Sequence, residues 1–185
     1  MKFHLRVLAI VVALEVGAVV PPAAADEMPI IYYSPATILE RIDSAIIAKA
    51  NSTIDMAAFV LTDQDVIGAL RAAADRGVVV RIYLDSDQVG LLKMNKVGYL
   101  TARLDQLASS PNVVIKTSQS GAPWMDQKGY TVDGQALRTG SANFSLSGEK
   151  FEDNDLILIP SVSAAAHFTQ NFEGMWSREG NRDWN

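Results

Sequence analysis

Apolar and polar positions along this chain follow two rhythms, one strand-like and one helical, and they alternate. IIYY (30–33) is a short apolar strand, and ATILERIDSAIIAKA (36–50) then repeats apolar residues at helical spacing through Ile38, Leu39, Ile42, Ile46 and Ile47. TIDMAAFVL (53–61) predicts a second strand, and TDQD (62–65) reads as a capping box opening a helix to Arg76, stopped at Gly77. VVVRIYLD (78–85) is a nearly continuous β-branched run, the pattern of a strand buried on both faces. The rhythm is less regular from Ser86 to Ser110, although LTARLDQLA (100–108) has helical spacing, and NVVIKT (112–117) returns to a strand. SQSGAPW (118–124) is a loop, GYTVDGQALRTG (129–140) is two short strands joined at Asp133-Gly134, and DLILI (155–159) is a buried strand stopped by Pro160. SVSAAAHFTQNFEGMW (161–176) closes the pattern as a serine-capped helix. Strands alternating with helices predict an α/β fold with parallel pairs. No internal repeat, low-complexity tract or second domain interrupts it.

The first 25 residues stand outside this pattern. Lys2 and Arg6 precede an apolar run from Val7 to Val20, and Ala23-Ala24-Ala25 offers a small-residue cleavage site before Asp26. That is the layout of a signal peptide, so the expectation is export to the periplasm or the exterior, with no stable membrane span after cleavage. The run is short for a spanning helix and contains Glu15. Residues 26–185 then form one domain, long enough to bury a core without staples.

Composition narrows the chemistry. The chain has no cysteine, which excludes disulfides, thiol catalysis and zinc-thiolate sites. Beyond the leader only His167 remains, too few for a His-rich metal site. No metal or cofactor is implied. The full chain carries 16 Lys+Arg against 21 Asp+Glu, and removing Lys2, Arg6 and Glu15 leaves 14 against 20. That balance does not favour polyanions, so any phosphate chemistry must rely on a local cationic cluster.

The candidate chemistry lies in WMDQKGYTVDGQALRTGSANFS (124–145). Asp126 and Lys128 are two apart in an extended segment and therefore share a face. Asp133 has opposite parity and sits at the turn, where its expected job is to hold the hairpin by hydrogen bonds. Ser141 and Asn143 can offer a hydroxyl and an amide from a neighbouring strand end, and Gly140 lets a backbone approach closely. Lysine, hydroxyl and amide donors converging on one point suit a phosphate.

DQKGYTVDGQALRTGSANFS resembles the signature of the phospholipase D superfamily, H-x-K-x-x-x-x-D followed by a G-S-x-N turn, with Asp126 where the family has histidine. The resemblance covers nearly all of residues 26–185 and is closest to the small single-motif members, known as secreted bacterial endonucleases. It implies the phospholipase D-like sandwich, a mixed, largely parallel β-sheet flanked by helices. It also implies hydrolysis of phosphodiesters, in nucleic acid or phospholipid, without a metal. In the family a histidine forms a phosphohistidine, and a second motif supplies the leaving-group acid and another lysine. A chain with one motif must borrow the other, so the resemblance implies a homodimer with a shared active site. Lys128, Ser141 and Asn143 carry over; the histidine does not.

The family tends to place an acidic residue ahead of the last strand to orient its histidine, and here that position is Asn154, followed by Asp155. A glutamate beside Asp126 would repel it, whereas an asparagine amide can donate to its carboxylate; coincidence is the alternative. A carboxylate can accept a phosphoryl group. Two aspartates facing each other across a dimer axis nevertheless add negative charge where an anionic diester binds. The expectation is an impaired phosphodiesterase, or else an inactive phosphodiester-binding protein.

Other residues have plainer readings. VGLLKMNKVGYL (89–100) is either a lid or lipid contact, or a helix packed on the core. Trp124 and Phe144 are base-stacking surfaces or core. Arg138 is a substrate contact or a solvated side chain, and His167 is a packed or surface residue.

Overall fold

The computed structural model describes residues 28–94 and 98–184. The expected signal peptide, residues 1–25, lies outside the described residues. The elements are β1 (Ile30–Tyr33), α1 (Leu39–Ala48), β2 (Thr53–Ala58), α2 (Gln64–Asp75), β3 (Val79–Leu84), α3 (Ser86–Met94) and α4 (Gly98–Ala108). They continue with β4 (Val113–Thr117), β5 (Lys128–Val132), β6 (Ala136–Gly140), α5 (Leu146–Lys150), β7 (Asp155–Ile159), α6 (Val162–Trp176) and β8 (Arg182–Asp183). No described helix is long and apolar enough to cross a membrane.

All the strands join one eight-stranded mixed sheet in the order β1-β7-β6-β5-β2-β3-β4-β8, flanked by helices. The expected parallel pairing holds for β2 with β3 and β3 with β4, where helical crossovers return the chain in the same direction. The other five pairings are antiparallel, so the sheet as a whole is not largely parallel. For β5–β6 and β6–β7 the reason is local: a tight turn and the short α5 connection join these strands, and neither makes a full crossover.

Strand parity divides the core. Ile54, Met56, Val80, Ile82 and Leu84 face α2 and α4 within the larger apolar cluster. Ala57 and Tyr83 face α6, packed with Met125, Phe172 and Met175. The run through 78–85 is therefore buried on both faces from Ile82 to Asp85, as its β-branched pattern predicts, whereas Val79 is 47% exposed and Arg81 half-buried. Arg81 has the parity of Tyr83 and lies under α6, paired with Asp55 at 2.7 Å and with Glu173 at 2.7 Å. Its guanidinium also sits 5.1 Å from the centroid of Phe172 and 5.5 Å from that of Trp176, so Trp176 packs the last helix on the sheet.

Helix starts follow side-chain chemistry. Asp63, rather than Thr62, caps α2 by accepting from the amides of Asp65 and Val66 at 2.9 and 3.0 Å. Ser161 caps α6 through the Ala164 amide at 3.2 Å. In the irregular stretch, Asp85 accepts from the amides of Asp87 and Gln88 and so opens α3.

Candidate active site

β5 begins at Lys128 and β6 ends at Gly140, and the two are antiparallel neighbours, so the lysine and the G-S-x-N turn meet at one end of the sheet. The hairpin turn holds them in register. Asp133 and Gly134 both have positive φ, 54° and 64°, the geometry of a two-residue turn whose twist matches the strands. At the sheet end a depression of about 390 Å³ is lined by Asp126, Gln127, Lys128, Gly129, Thr139, Gly140, Phe168 and Asn171. Thr139, Phe168 and Asn171 were not singled out from the sequence; only their placement around the sheet end reveals them.

Lys128 is the cation of this depression. Its side chain is 13% exposed, and its ammonium stands 5.0 Å from the centroid of Phe59. The ammonium donates to the main-chain oxygen of Asp126 at 3.0 Å and forms an ion pair with the Asp126 carboxylate. Asp126 itself is 64% exposed. The two side chains share one site, as their spacing predicts, and in this state the carboxylate sits on the cation.

Asp126 is held from behind by a residue that sequence reasoning missed. Asp85, 2% exposed, accepts from the amide of Met125 at 3.0 Å through Oδ2 while Oδ1 caps α3. The only signal in the sequence is an acid closing a strand otherwise buried on both faces.

Gly140 has φ 142°, and a Cβ there would lie 2.3 Å from the Asp155 carbonyl oxygen, so this close approach requires glycine. Ser141 follows, but it is tied into the fold and does not line the depression. Its hydroxyl donates to Asn154 Oδ1 at 3.0 Å and accepts from the Asp155 amide at 2.9 Å, while its own amide donates to Asp155 Oδ1 at 3.2 Å. The Asn154 amide group donates to the Gly148 carbonyl at 3.2 Å and to Glu152 at 3.0 Å, not to Asp126. Asn154 and Asp155 thus brace the turn, and the anticipated Asp126–Asn154 bond is absent. Asn143 is half-buried and does not line the depression, and its Oδ1 is buried with no hydrogen-bond partner among the described residues.

Asp133 departs from its expected role. Its carboxylate bonds away from the hairpin, accepting from the amides of Asn51, Ser52 and Thr53 and from the Ser52 hydroxyl, and so caps the entry to β2. Partial burial opposes its ionisation, but the amides of Thr53, Ser52 and Asn51 outweigh it and hold the carboxyl at about 2. It lies at the far end of β5 from Lys128 and cannot touch the same ligand.

Arg138 neither contacts substrate nor lies in solvent. It is fully buried, with Nε donating to Asp43 Oδ1 at 2.9 Å and Nη2 donating to Asp43 Oδ2 at 2.7 Å and to Glu149 Oε1 at 3.3 Å. Nη1 donates to the carbonyls of Lys128 at 3.0 Å and Ala142 at 3.4 Å, so one guanidinium ties together the lysine strand and the G-S-x-N turn. Burial first, and then the neighbouring Asp43 carboxylate, push Glu149 up to about 9.

Other candidates separate cleanly. Phe144 is buried core, 4.3 Å beneath Arg138, whereas Trp124 is exposed and lies 6.4 Å from Phe59. His167 is on the surface of α6. Away from the depression, Glu40, Asp63 and Asp65 bring carboxylates together, but the Lys150 ammonium is already 2.6 Å from Glu40.

Known proteins with this arrangement agree on its kind. The chain is 25% identical over 130 residues to the mitochondrial cardiolipin hydrolase of Danio rerio, covering 69% of this chain and 52% of that one. It is 29% identical over 127 residues to the phospholipase D of Rickettsia prowazekii, covering 68% and 57%. It therefore spans little more than half the length of these relatives. Among solved structures, the phospholipase D family member Nuc of Salmonella typhimurium superposes with a TM-score of 0.73 at 27% identity, over 85% of this chain and 99% of that one. NucT of Helicobacter pylori shares the fold with a TM-score of 0.66 at 20% identity, over 85% and 99%. The model of the family described as "Cardiolipin synthase, PLD-like domain" matches residues 44–176, most of the chain, and the protein belongs to that family.

Proposed function

We propose that this protein is a hydrolase of phosphodiester bonds, in nucleic acid or phospholipid, whose turnover is impaired because Asp126 stands where a nucleophilic histidine belongs. The observation that carries the reading is the meeting of Lys128 and the Gly140 turn at one depression, with Asp126 as the reactive side chain at its rim. Lys128 supplies the cation for a phosphate oxygen. In this proposal Asn143, through its amide N–H group, and Ser141, through a hydroxyl released from Asn154, complete the cradle on ligand binding, although neither lines the depression in this state. The likeness to Nuc, which this chain covers almost end to end, supports the small single-motif type, and with it a homodimer that completes the site. The leader-like first 25 residues support export to the periplasm or beyond.

Asp126 weakens catalysis in two ways. It is a poorer nucleophile than an imidazole, and its carboxylate occupies the ammonium that a phosphate needs. The second effect favours a further reading, a phosphodiester-binding protein without turnover. Hydrolysis of bis(p-nitrophenyl) phosphate by the native chain, Asp126→His and Asp126→Asn separates these effects. Asp126→His is expected to be on the order of a hundredfold faster or more, given what loss of a nucleophile removes. Asp126→Asn is expected to bind the diester more tightly without faster turnover. A native chain as fast as Asp126→His refutes the impairment.

A further inference from the structure

Phe59 has two neighbourhoods. One side of its ring faces the Lys128 ammonium, 5.0 Å from the centroid. The same residue is in the wall of a separate cleft of about 230 Å³, lined by Val60, Leu61, Leu84, Val89, Leu92 and Leu104, with Leu91 also at its wall and Gln88 the one polar side chain among the described residues lining it. The Lys128 ammonium and the apolar cleft are therefore neighbours across the Phe59 ring. Leu91, Met94 and Trp124 are exposed. α3, whose residues begin the stretch 89–100, buries Val89 and leaves Leu91 and Met94 outward, so it is not simply packed on the core.

A cation resting on the ring of a residue that also lines a hydrocarbon cleft complements an amphiphile. A polynucleotide presents no hydrocarbon to such a cleft. Its bases would need aromatic platforms and its next phosphates further cations, and among the described residues the cleft lining has no cation and no aromatic ring besides Phe59, with Trp124 outside it. The volume suits one chain rather than a pair. We infer that the cleft is an acyl-chain subsite, so that the preferred ligand is a single-chain lipid phosphodiester with its phosphate at Lys128 and its chain past Phe59. This rests on the proposed phosphate cradle at Lys128.

Alkylphosphocholines are single-chain phosphodiesters, and a series from ethyl to octyl stays monomeric at low concentration. Calorimetric titration of the native chain with this series is expected to show affinity rising about fourfold per added methylene until the cleft fills, as transfer of each CH₂ from water predicts. Leu91→Asp, a change at a position 47% exposed, is expected to flatten the rise while leaving the ethyl ester's affinity unchanged. Leu92→Trp, which fills the cleft, is expected to do the same. Lys128→Ala is expected to weaken every ester equally and leave the rise intact.

The outcomes distinguish the two ideas. If the ethyl ester binds in a Lys128-dependent way but affinity does not rise with chain length, the subsite is wrong and the cradle stands. A rise that survives both leucine variants likewise overturns the subsite. If Lys128→Ala changes nothing, the cradle fails and the inference falls with it, even where the chains still bind. A single-stranded oligonucleotide that binds through Lys128, with no chain-length dependence among the alkyl esters, would assign the site to nucleic acid instead.

Discussion

Replacing Arg138 with methionine perturbs the centre of the scaffold beneath the site, and its cost follows from a charge count. Arg138 and Asp43 are both fully buried, and Glu149 beside them is held up at about 9, so at neutral pH it keeps its proton. The cluster is thus one cation against one anion. Arg138→Met leaves the Asp43 carboxylate buried with only neutral side-chain partners, the Tyr130 hydroxyl 2.7 Å away and the protonated Glu149 carboxyl. Breaking a buried pair from one side costs about 3–5 kcal/mol, against a total stability of about 5–15 kcal/mol for a domain. Adding Asp43→Asn removes the stranded charge, and most of that loss should return. A residue of about 1–3 kcal/mol should remain, because the carbonyls of Lys128 and Ala142 still lack their donor. Urea unfolding at constant m-value measures both steps. A single variant that loses less than about 1 kcal/mol, or a double variant no more stable than the single, refutes the charge count.

Two further outcomes follow from the same region. Glu149 has a folded value of about 9 against an ordinary 4.5, so its protonated form favours the fold; that contribution is complete below about 4.5 and is lost as pH rises through about 9. Glu149→Gln should abolish this alkaline decline in denaturation midpoint, and a variant that declines as the native chain does would contradict a proton on Glu149. Gly140→Ala places a Cβ 2.3 Å from the Asp155 oxygen at φ 142°, and should lose at least about 1–3 kcal/mol together with phosphodiester binding, measured by thermal melting and titration.

The sequence made the strand–helix units legible because each is a local rhythm. IIYY, the 78–85 run and the capped helices depend only on neighbours a few residues away. The hairpin was equally readable, since Asp133-Gly134 states its own turn geometry. Pairing was not. β5 lies between β6 and β2, and its contacts with β2 join residues 70 to 78 positions apart, which no local period encodes. Asp133 shows the same limit at one residue: its position at a turn was evident, but its hydrogen-bond partners, Asn51 to Thr53, come from another segment. At the site, Lys128 and Asp126 were found because two-residue spacing in a strand fixes their shared face. Thr139 and Asn171 were missed because no motif connects them to it.

Arg138 and Asp43 mark a signal that was present and unread. Leu39, Asp43 and Ile47 are four apart and all fully buried, so the acid lies on the apolar stripe of α1. Arg138 lies in a short strand otherwise made of small and apolar residues. Each is a charge where its element's rhythm calls for a hydrocarbon, and a buried charge requires a partner of opposite sign. Two such violations of opposite sign in one small domain therefore imply each other, and their meeting fixes α1 against the hairpin without knowledge of strand order. The same reasoning reaches the site. A guanidinium anchored by a helix that does not border the depression has donors left over, and here they hold the carbonyls of Lys128 and Ala142. The relative position of the cation and the G-S-x-N turn is thus set from inside the core, by bonds that do not involve the residue at position 126 on the rim.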